Sequence, residues 1–119
     1  LVLVDLDTYQ IVWTAPDGFS GSPTLANGVG YAIRSGAVVQ VDLDDGAVLR
    51  TYPGDGSLWA GKPVVTDDAV IFSSYDQTFV YQLWDGVLLD SLAFGGEIAV
   101  GDGLLVVVDG ADVWALEWQ

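Results

Sequence analysis

The chain has 119 residues, about the length of one domain, and 51% of them are hydrophobic. Its 17 Asp and Glu against three Lys and Arg give a formal net charge of −14, which excludes nucleic-acid binding and disfavours an anionic membrane surface. The chain has no Cys and no His, so disulfides, thiol and imidazole catalysis and Cys/His metal sites are excluded. Its apolar runs are also too short for a membrane-spanning segment.

The first predicted element is a pair of strands in residues 1–18. The stretch VDLDTYQIVW at 4–13 returns as VDLDDGAVLR at 41–50. Each copy reads as a strand, an acidic turn and a second strand. We expect the Asp side chains to accept hydrogen bonds from backbone N–H groups in these turns. Because the pattern opens in the middle of a repeat, we interpret the chain as a piece of a longer protein, or as a processed or incompletely built one.

The first complete unit is predicted over residues 21–53, with strands a to d at 22–26, 29–34, 37–43 and 47–52. Asn27-Gly28 between apolar residues predicts a type I′ hairpin turn, since both central residues of that turn need positive φ. A second unit over 61–93 has strands at 62–66, 69–74, 78–84 and 87–92. In this unit Asp67-Asp68 takes the place of Asn27-Gly28.

A third, incomplete unit is predicted over residues 96–119, with strands at 97–100, 104–109 and 112–118 and a hairpin turn at Asp102-Gly103. No stretch keeps a helical pattern of apolar residues over three turns. A four-stranded unit that repeats every ~40 residues predicts a propeller or a solenoid.

The motif DLDTYQIVW at 5–13 resembles the D-x-x-T-G-x-x-x-W signature of PQQ-like β-propeller repeats. The resemblance implies an all-β fold of four-stranded antiparallel blades, as a partial propeller or one closed by oligomerisation. It also implies that the Asp and the turn Gly shape the c–d hairpin and that the Trp packs between blades. The matching structural positions are Asp5, Trp13, Asp42, Gly46 and Trp114. The chain departs from the signature at Tyr9, where the family has Gly, and at Arg50, where it has Trp.

In such a propeller the a–b and c–d turns lie on one face, here called the turn face, and the b–c and d–a connections lie on the opposite loop face. The turn face is expected to be acidic, from Asp7, Asn27, Asp44, Asp45, Asp67, Asp68, Asp85 and Asp102. The loop face is expected to be mixed and aromatic, and it supplies the candidate partner-binding residues Arg34, Trp59, Lys62, Tyr75 and Asp76. Tyr, Trp and Arg are enriched in binding hot spots. The alternative is that Trp59 packs over a blade and that Arg34 and Lys62 pair with nearby Asp.

Metal and cofactor sites are not predicted. The run Asp42-Leu43-Asp44-Asp45-Gly46 has a superficial likeness to a calcium loop, but it lacks the D-x-D-x-D-G spacing and the closing Glu. We interpret it as a solvated turn. Arg50 is left with two interpretations, an inter-blade salt bridge or a contact.

The function predicted from the sequence is a non-enzymatic binding or scaffold module that presents loops to a protein partner, in an extracellular or cell-envelope setting. One alternative is an assembly or filament subunit that pairs through open blade edges. Another is a fragment of a PQQ-dependent dehydrogenase. Resemblance to that class would imply paired cysteines, which this chain lacks. The many Asp and few Lys are typical of halophilic proteins, but an ordinary secreted domain accounts for them as well.

Overall fold

The structure, a computed structural model, describes residues 1–15, 18–55, 62–74, 76–101, 104–109 and 112–117. Within these ranges the chain forms β-strands and no helix, which confirms the all-β prediction. The strands are β1 Val2–Asp5, β2 Gln10–Thr14, β3 Phe19–Ala26, β4 Val29–Arg34, β5 Ala37–Asp42, β6 Val48–Pro53, β7 Val64–Val65, β8 Ala69–Ser73, β9 Thr78–Gln82, β10 Leu88–Leu92, β11 Glu97–Gly101, β12 Leu104–Asp109 and β13 Asp112–Glu117. None of the described residues belongs to a helix that would cross a membrane.

The strands form four antiparallel sheets, each a meander in chain order. They are β1–β2, β3–β4–β5–β6, β7–β8–β9–β10 and β11–β12–β13, and they are not closed into a ring. The two complete sheets confirm the prediction of four-stranded antiparallel blades. The first strand of each four-stranded sheet differs most from its predicted bounds. β3 begins at Phe19 instead of residue 22, and β7 covers only Val64–Val65 instead of 62–66.

Apolar side chains of alternating orientation join neighbouring sheets. Val70 and Phe72 of β8 pack with Tyr31, Ile33 and Tyr52 of the preceding sheet. Ala69 and Ile71, the alternate residues of β8, pack with Leu105 and Val107 of the following sheet. A strand places successive side chains on opposite faces, so a sheet held between two others is apolar on both. This packing accounts for the high apolar content of so short a chain.

Backbone conformation separates the two a–b turns. Asn27 has φ of 54° and Gly28 has φ of 75°, which confirms the predicted positive φ of a type I′ turn. Asp67 and Asp68 are not among the described residues with positive φ, so the equivalent turn is built differently. There the Thr66 hydroxyl accepts a hydrogen bond from the Ala69 N–H at 3.0 Å.

The c–d hairpins repeat one arrangement. Oδ1 of Asp5 accepts a hydrogen bond from the Asp7 N–H at 2.8 Å, and Oδ1 of Asp42 accepts one from Asp44 at the same distance. A left-handed residue follows in each turn: Tyr9 at 58°, Gly46 at 79° and Gly86 at 72°. The turn therefore needs a residue of positive φ at this position. Tyr9 adopts that conformation although it costs Tyr more free energy than Gly.

Candidate functional site

Trp13 contacts the c–d turn of the next sheet. Its Nε1–H donates a hydrogen bond to the Leu43 carbonyl at 2.8 Å, and its indole lies over Gly46. A Cβ added to Gly46 would be 2.8 Å from Cε3 of Trp13. Because Gly46 has no side chain, the flat indole ring of Trp13 packs directly on this turn.

Arg50 takes the corresponding place one sheet further along. Its Nη2 donates a hydrogen bond to the Trp84 carbonyl at 2.8 Å, and its side chain lies against Gly86. The Tyr52 hydroxyl donates to the adjacent Leu83 carbonyl, also at 2.8 Å. Arg50 and Tyr52 together thus satisfy the carbonyls of this turn. Of the two interpretations of Arg50, the geometry favours the inter-blade contact, made to a carbonyl oxygen.

Gly46→Ala and Gly86→Ala form a matched pair that tests this substitution of Arg for Trp. Both positions have positive φ, so both variants carry a backbone penalty of about 1 kcal/mol. At Gly46 the new methyl also meets the rigid Trp13 ring, whereas at Gly86 it meets the flexible end of Arg50 at 3.3 Å. We expect Gly46→Ala to lower the free energy of unfolding by about 1–2 kcal/mol more than Gly86→Ala, measured by urea denaturation. Equal losses would contradict the account.

Two buried tyrosines also bridge sheets. The Tyr81 hydroxyl donates a hydrogen bond to the Pro53 carbonyl at 2.6 Å, in addition to the Tyr52 bond to Leu83. Burial raises the pKa of both phenols above the ordinary value, and at Tyr52 the nearby Tyr31 raises the pKa further. The neutral hydroxyl is therefore the form that the fold stabilises, and it acts as a donor that links the blades.

On the loop face, Arg34 stacks over the Phe19 ring, with Cζ 5.3 Å from the ring centroid. The two residues are partners in the β3–β4 register, so the sheet itself brings them together. Such a cation–π contact fixes the long arginine side chain while leaving it partly exposed. The Phe19 ring therefore holds the Arg34 side chain in place.

Hydrogen bonds between sheets also hold the loop-face connections. The Ser74 hydroxyl, in the β8–β9 connection, donates to Oδ2 of Asp55 at 2.6 Å. The Thr78 hydroxyl donates to the Phe94 carbonyl at 2.8 Å, and the Ser73 hydroxyl donates to that of Gly96. The β8–β9 connection is therefore tied to the segments on both sides of it.

The remaining candidates of the loop face are only partly described. Lys62 and Asp76 are exposed, next to β7 and in the β8–β9 connection, and the strand topology puts them at the same end of the sheets as Arg34. Trp59 and Tyr75 lie outside the described residues. Trp114, predicted to pack between blades, stacks on Phe94 with ring centroids 4.7 Å apart.

The turn face carries the acidic residues at the positions where the strand pattern put them. Asp7, Asn27, Asp44, Asp45, Asp67, Asp68 and Asp85 are all exposed, while Asp102 lies outside the described residues. Asp45 and Asp85 each accept a hydrogen bond from a backbone N–H two residues on, at 2.9 and 3.0 Å. In the described part of the chain no three metal-ligating side chains come together. The face is not purely anionic, because Arg50 reaches it.

A cavity of about 160 Å³ lies between the β1–β2 sheet and the first four-stranded sheet. Its lining is apolar and includes Leu3, Trp13, Leu25, Tyr31 and Val41. The two clusters of buried apolar residues lie between the later sheets.

Sequence reasoning missed Phe19, Tyr52 and Tyr81 as contact residues. The type I′ turn at Asn27-Gly28 would place Gly21 opposite Arg34 if the pairing were regular, but a register shift between Ser20 and Thr24 brings Phe19 there. The tyrosines carried only a weak signal, namely that a buried Tyr usually finds a hydrogen-bond partner for its hydroxyl.

Comparisons with known proteins identify the fold. No protein-family model and no curated protein sequence matches the chain. BamB from Moraxella catarrhalis is similar with a TM-score of 0.81 over 98% of this chain, at 15% identity. A quinohemoprotein alcohol dehydrogenase from Pseudomonas putida is similar with a TM-score of 0.71 over 89%, at 16% identity. The computationally designed protein Ika8 gives 0.53 over 96%, at 12% identity.

This chain spans 43% of the BamB chain, 20% of the dehydrogenase and 51% of the designed protein. At these identities the likeness shows the fold alone. The protein is thus an open set of β-propeller blades, and the resemblance to PQQ-like repeats is confirmed at the level of fold.

Proposed function

We propose that this chain is a non-enzymatic binding module, in an extracellular or cell-envelope setting, that presents its loop face to a protein partner. The observation that carries the proposal is the rigid mounting of that face. The β8–β9 connection is tied to Asp55 on one side and to Phe94 and Gly96 on the other. Loops held in one conformation lose little entropy on binding, which favours recognition.

Arg34 is the residue proposed to anchor the partner. The guanidinium is positioned over the Phe19 ring, and Arg34 is partly exposed at one end of the blades. Arg over an aromatic ring combines a flat apolar surface with hydrogen-bond donors, and such residues are frequent in hot spots.

The charges of the loop face also differ from those of the rest of the molecule. The chain has three basic residues, and two of them, Arg34 and Lys62, lie at this end of the sheets. On a chain of net charge −14, these two cations offset part of the charge of Asp55, Asp76, Asp109 and Asp112 at the same end, which makes the loop face mixed in charge and suits it to polar contacts of both signs.

Site-specific photo-crosslinking tests the proposal with a matched control. Asp76 and Asp67 are both exposed Asp residues in connections of the same sheet, but they lie on the loop face and the turn face. A photoreactive amino acid at Asp76, in the full-length protein in its source cells, is expected to crosslink to one distinct polypeptide. The same residue at Asp67 is expected not to crosslink to it.

Arg34→Ala is expected to lower the affinity for that polypeptide about tenfold, measured with the purified pair. Equal crosslinking at Asp67 and Asp76, or no crosslink at Asp76, would contradict the proposal. Full affinity in Arg34→Ala would remove the role of Arg34 as the anchor.

A further inference from the structure

Each c–d hairpin contains a β-bulge at the same place on its outer strand. The register shifts after Leu3 in β1–β2, after Gln40 in β5–β6 and after Leu88 in β10–β9. One residue of the fourth strand is left without a partner in each case, and these residues are Val12, Leu49 and Leu89. A bulge repeated on successive blades is a feature of the repeat and not a local irregularity.

The three bulge residues are apolar and exposed to the same extent. Val12 is 51% exposed, and Leu49 and Leu89 are each 53% exposed. The residue before each one is exposed and apolar too: Ile11 at 65%, Val48 at 40% and Leu88 at 48%. Single exposed apolar residues are ordinary, but here an exposed apolar pair recurs at the same position on three blades. We call the six residues Ile11, Val12, Val48, Leu49, Leu88 and Leu89 the bulge rim.

The bulge rim lies on the periphery of the molecule. The first strands of successive sheets contact each other, β3 with β7 and β7 with β11, so they lie towards the inside. The fourth strands are at the opposite edge of each sheet. Bulges twist a sheet edge away from regular pairing, which hinders the addition of another strand. Recognition at the rim therefore depends on its side chains.

Acidic turns flank the bulge rim. Asp45 and Asp85 precede the pairs of the second and third hairpins by a few residues and are exposed. Each uses Oδ1 to accept a backbone hydrogen bond within its turn, which leaves the other carboxylate oxygen to solvent in the contacts of the described residues. An apolar surface bordered by carboxylates is complementary to apolar groups bordered by cations.

We propose that the bulge rim binds a protein segment that combines apolar side chains with Lys and Arg. The rim is separate from the loop face, so this surface goes beyond the proposed function and does not depend on it. A second copy of this chain is the wrong occupant, because two copies would bring net charges of −14 together.

Titration with two synthetic peptides tests the proposal by NMR on the isotope-labelled chain. One peptide alternates Leu and Lys, and the other alternates Ser and Lys with the same charge. We expect the Leu/Lys peptide to shift the amide signals of the rim at 11–12, 48–49 and 88–89, and to leave those of Arg34, Lys62 and Asp76 in place. The Ser/Lys peptide is expected to bind at least tenfold more weakly.

The double variant Leu49→Ser/Leu89→Ser is expected to weaken binding of the Leu/Lys peptide about tenfold. Leu25→Ser is the control, since Leu25 is 66% exposed but lies on β3, away from the rim. Equal binding of both peptides would overturn the proposal, because charge alone would then be responsible. The proposal would also be overturned if the Leu/Lys peptide did not bind or if it shifted signals on the loop face instead. An equal loss of peptide affinity in Leu25→Ser would overturn it as well. The photo-crosslink at Asp76 is read separately, so failure of either proposal is recognised without the other.

Discussion

Trp13→Ala is expected to lower the free energy of unfolding by about 3 kcal/mol, measured by urea denaturation followed by circular dichroism. The substitution removes a half-buried indole that fills the space over Gly46 and enlarges the cavity at the first interface. It also removes the Nε1–H donor to the Leu43 carbonyl, worth about 1 kcal/mol. The β1–β2 sheet should lose its attachment first, because Trp13 is its main contact with the next turn.

Trp84→Ala is the control for this prediction. Trp84 is 60% exposed, and the contact made to it by Arg50 uses its backbone carbonyl, which alanine retains. Its loss is expected to stay below about 1 kcal/mol. The inter-blade role of Trp13 would be contradicted if Trp13→Ala also cost less than about 1 kcal/mol.

Gly95→Ala is expected to be the most disruptive single methyl addition, with a loss of about 3 kcal/mol or more. A Cβ at Gly95 would overlap the carbonyl oxygen of Ser74 and would lie 2.9 Å from its carbonyl carbon. Because these are backbone atoms, no side-chain rotation relieves the overlap. The connection that holds Ser74 against Asp55 has to move, so the loop face should be disturbed together with stability.

Gly101→Ala provides the matched control at the end of β11. A Cβ there meets nothing within 4 Å of the described atoms, and we expect a change within about 0.5 kcal/mol. Thermal unfolding of both variants makes the comparison. A Gly95→Ala protein as stable as Gly101→Ala would show that the β8–β9 and β10–β11 segments do not pack as closely as described.

The architecture could be predicted from the sequence because its signals are local and repeated. Asn27-Gly28 predicts a turn from the conformations of two residues alone. The recurrence of VDLD, an acidic turn and an apolar strand predicts the blade, since one unit cannot bury both of its faces without neighbours. Each of these inferences depends on residues close together in the chain.

The site contacts could not be predicted because they depend on register and on neighbouring sheets. The shift between Ser20 and Thr24 decides that Phe19 and not Gly21 supports Arg34, and no turn signal marks it. Arg50 faced two equal interpretations, since which group of the next blade it meets depends on the bulge in β6. The bulge rim likewise becomes visible only after exposure is known, because apolar residues in a strand indicate burial as a rule.

Hydrogen exchange of the backbone amides, measured by NMR on this chain, tests the central claim that consecutive blades pack face to face. We expect the slowest exchange in β4, β5, β8 and β9, whose residues are buried from both sides. We also expect these four strands to open together, since one core contains a buried residue from each of them: Tyr31, Val38, Phe72 and Phe79. Separate opening of the two four-stranded sheets, each with weakly protected amides, would contradict face-to-face packing of the blades.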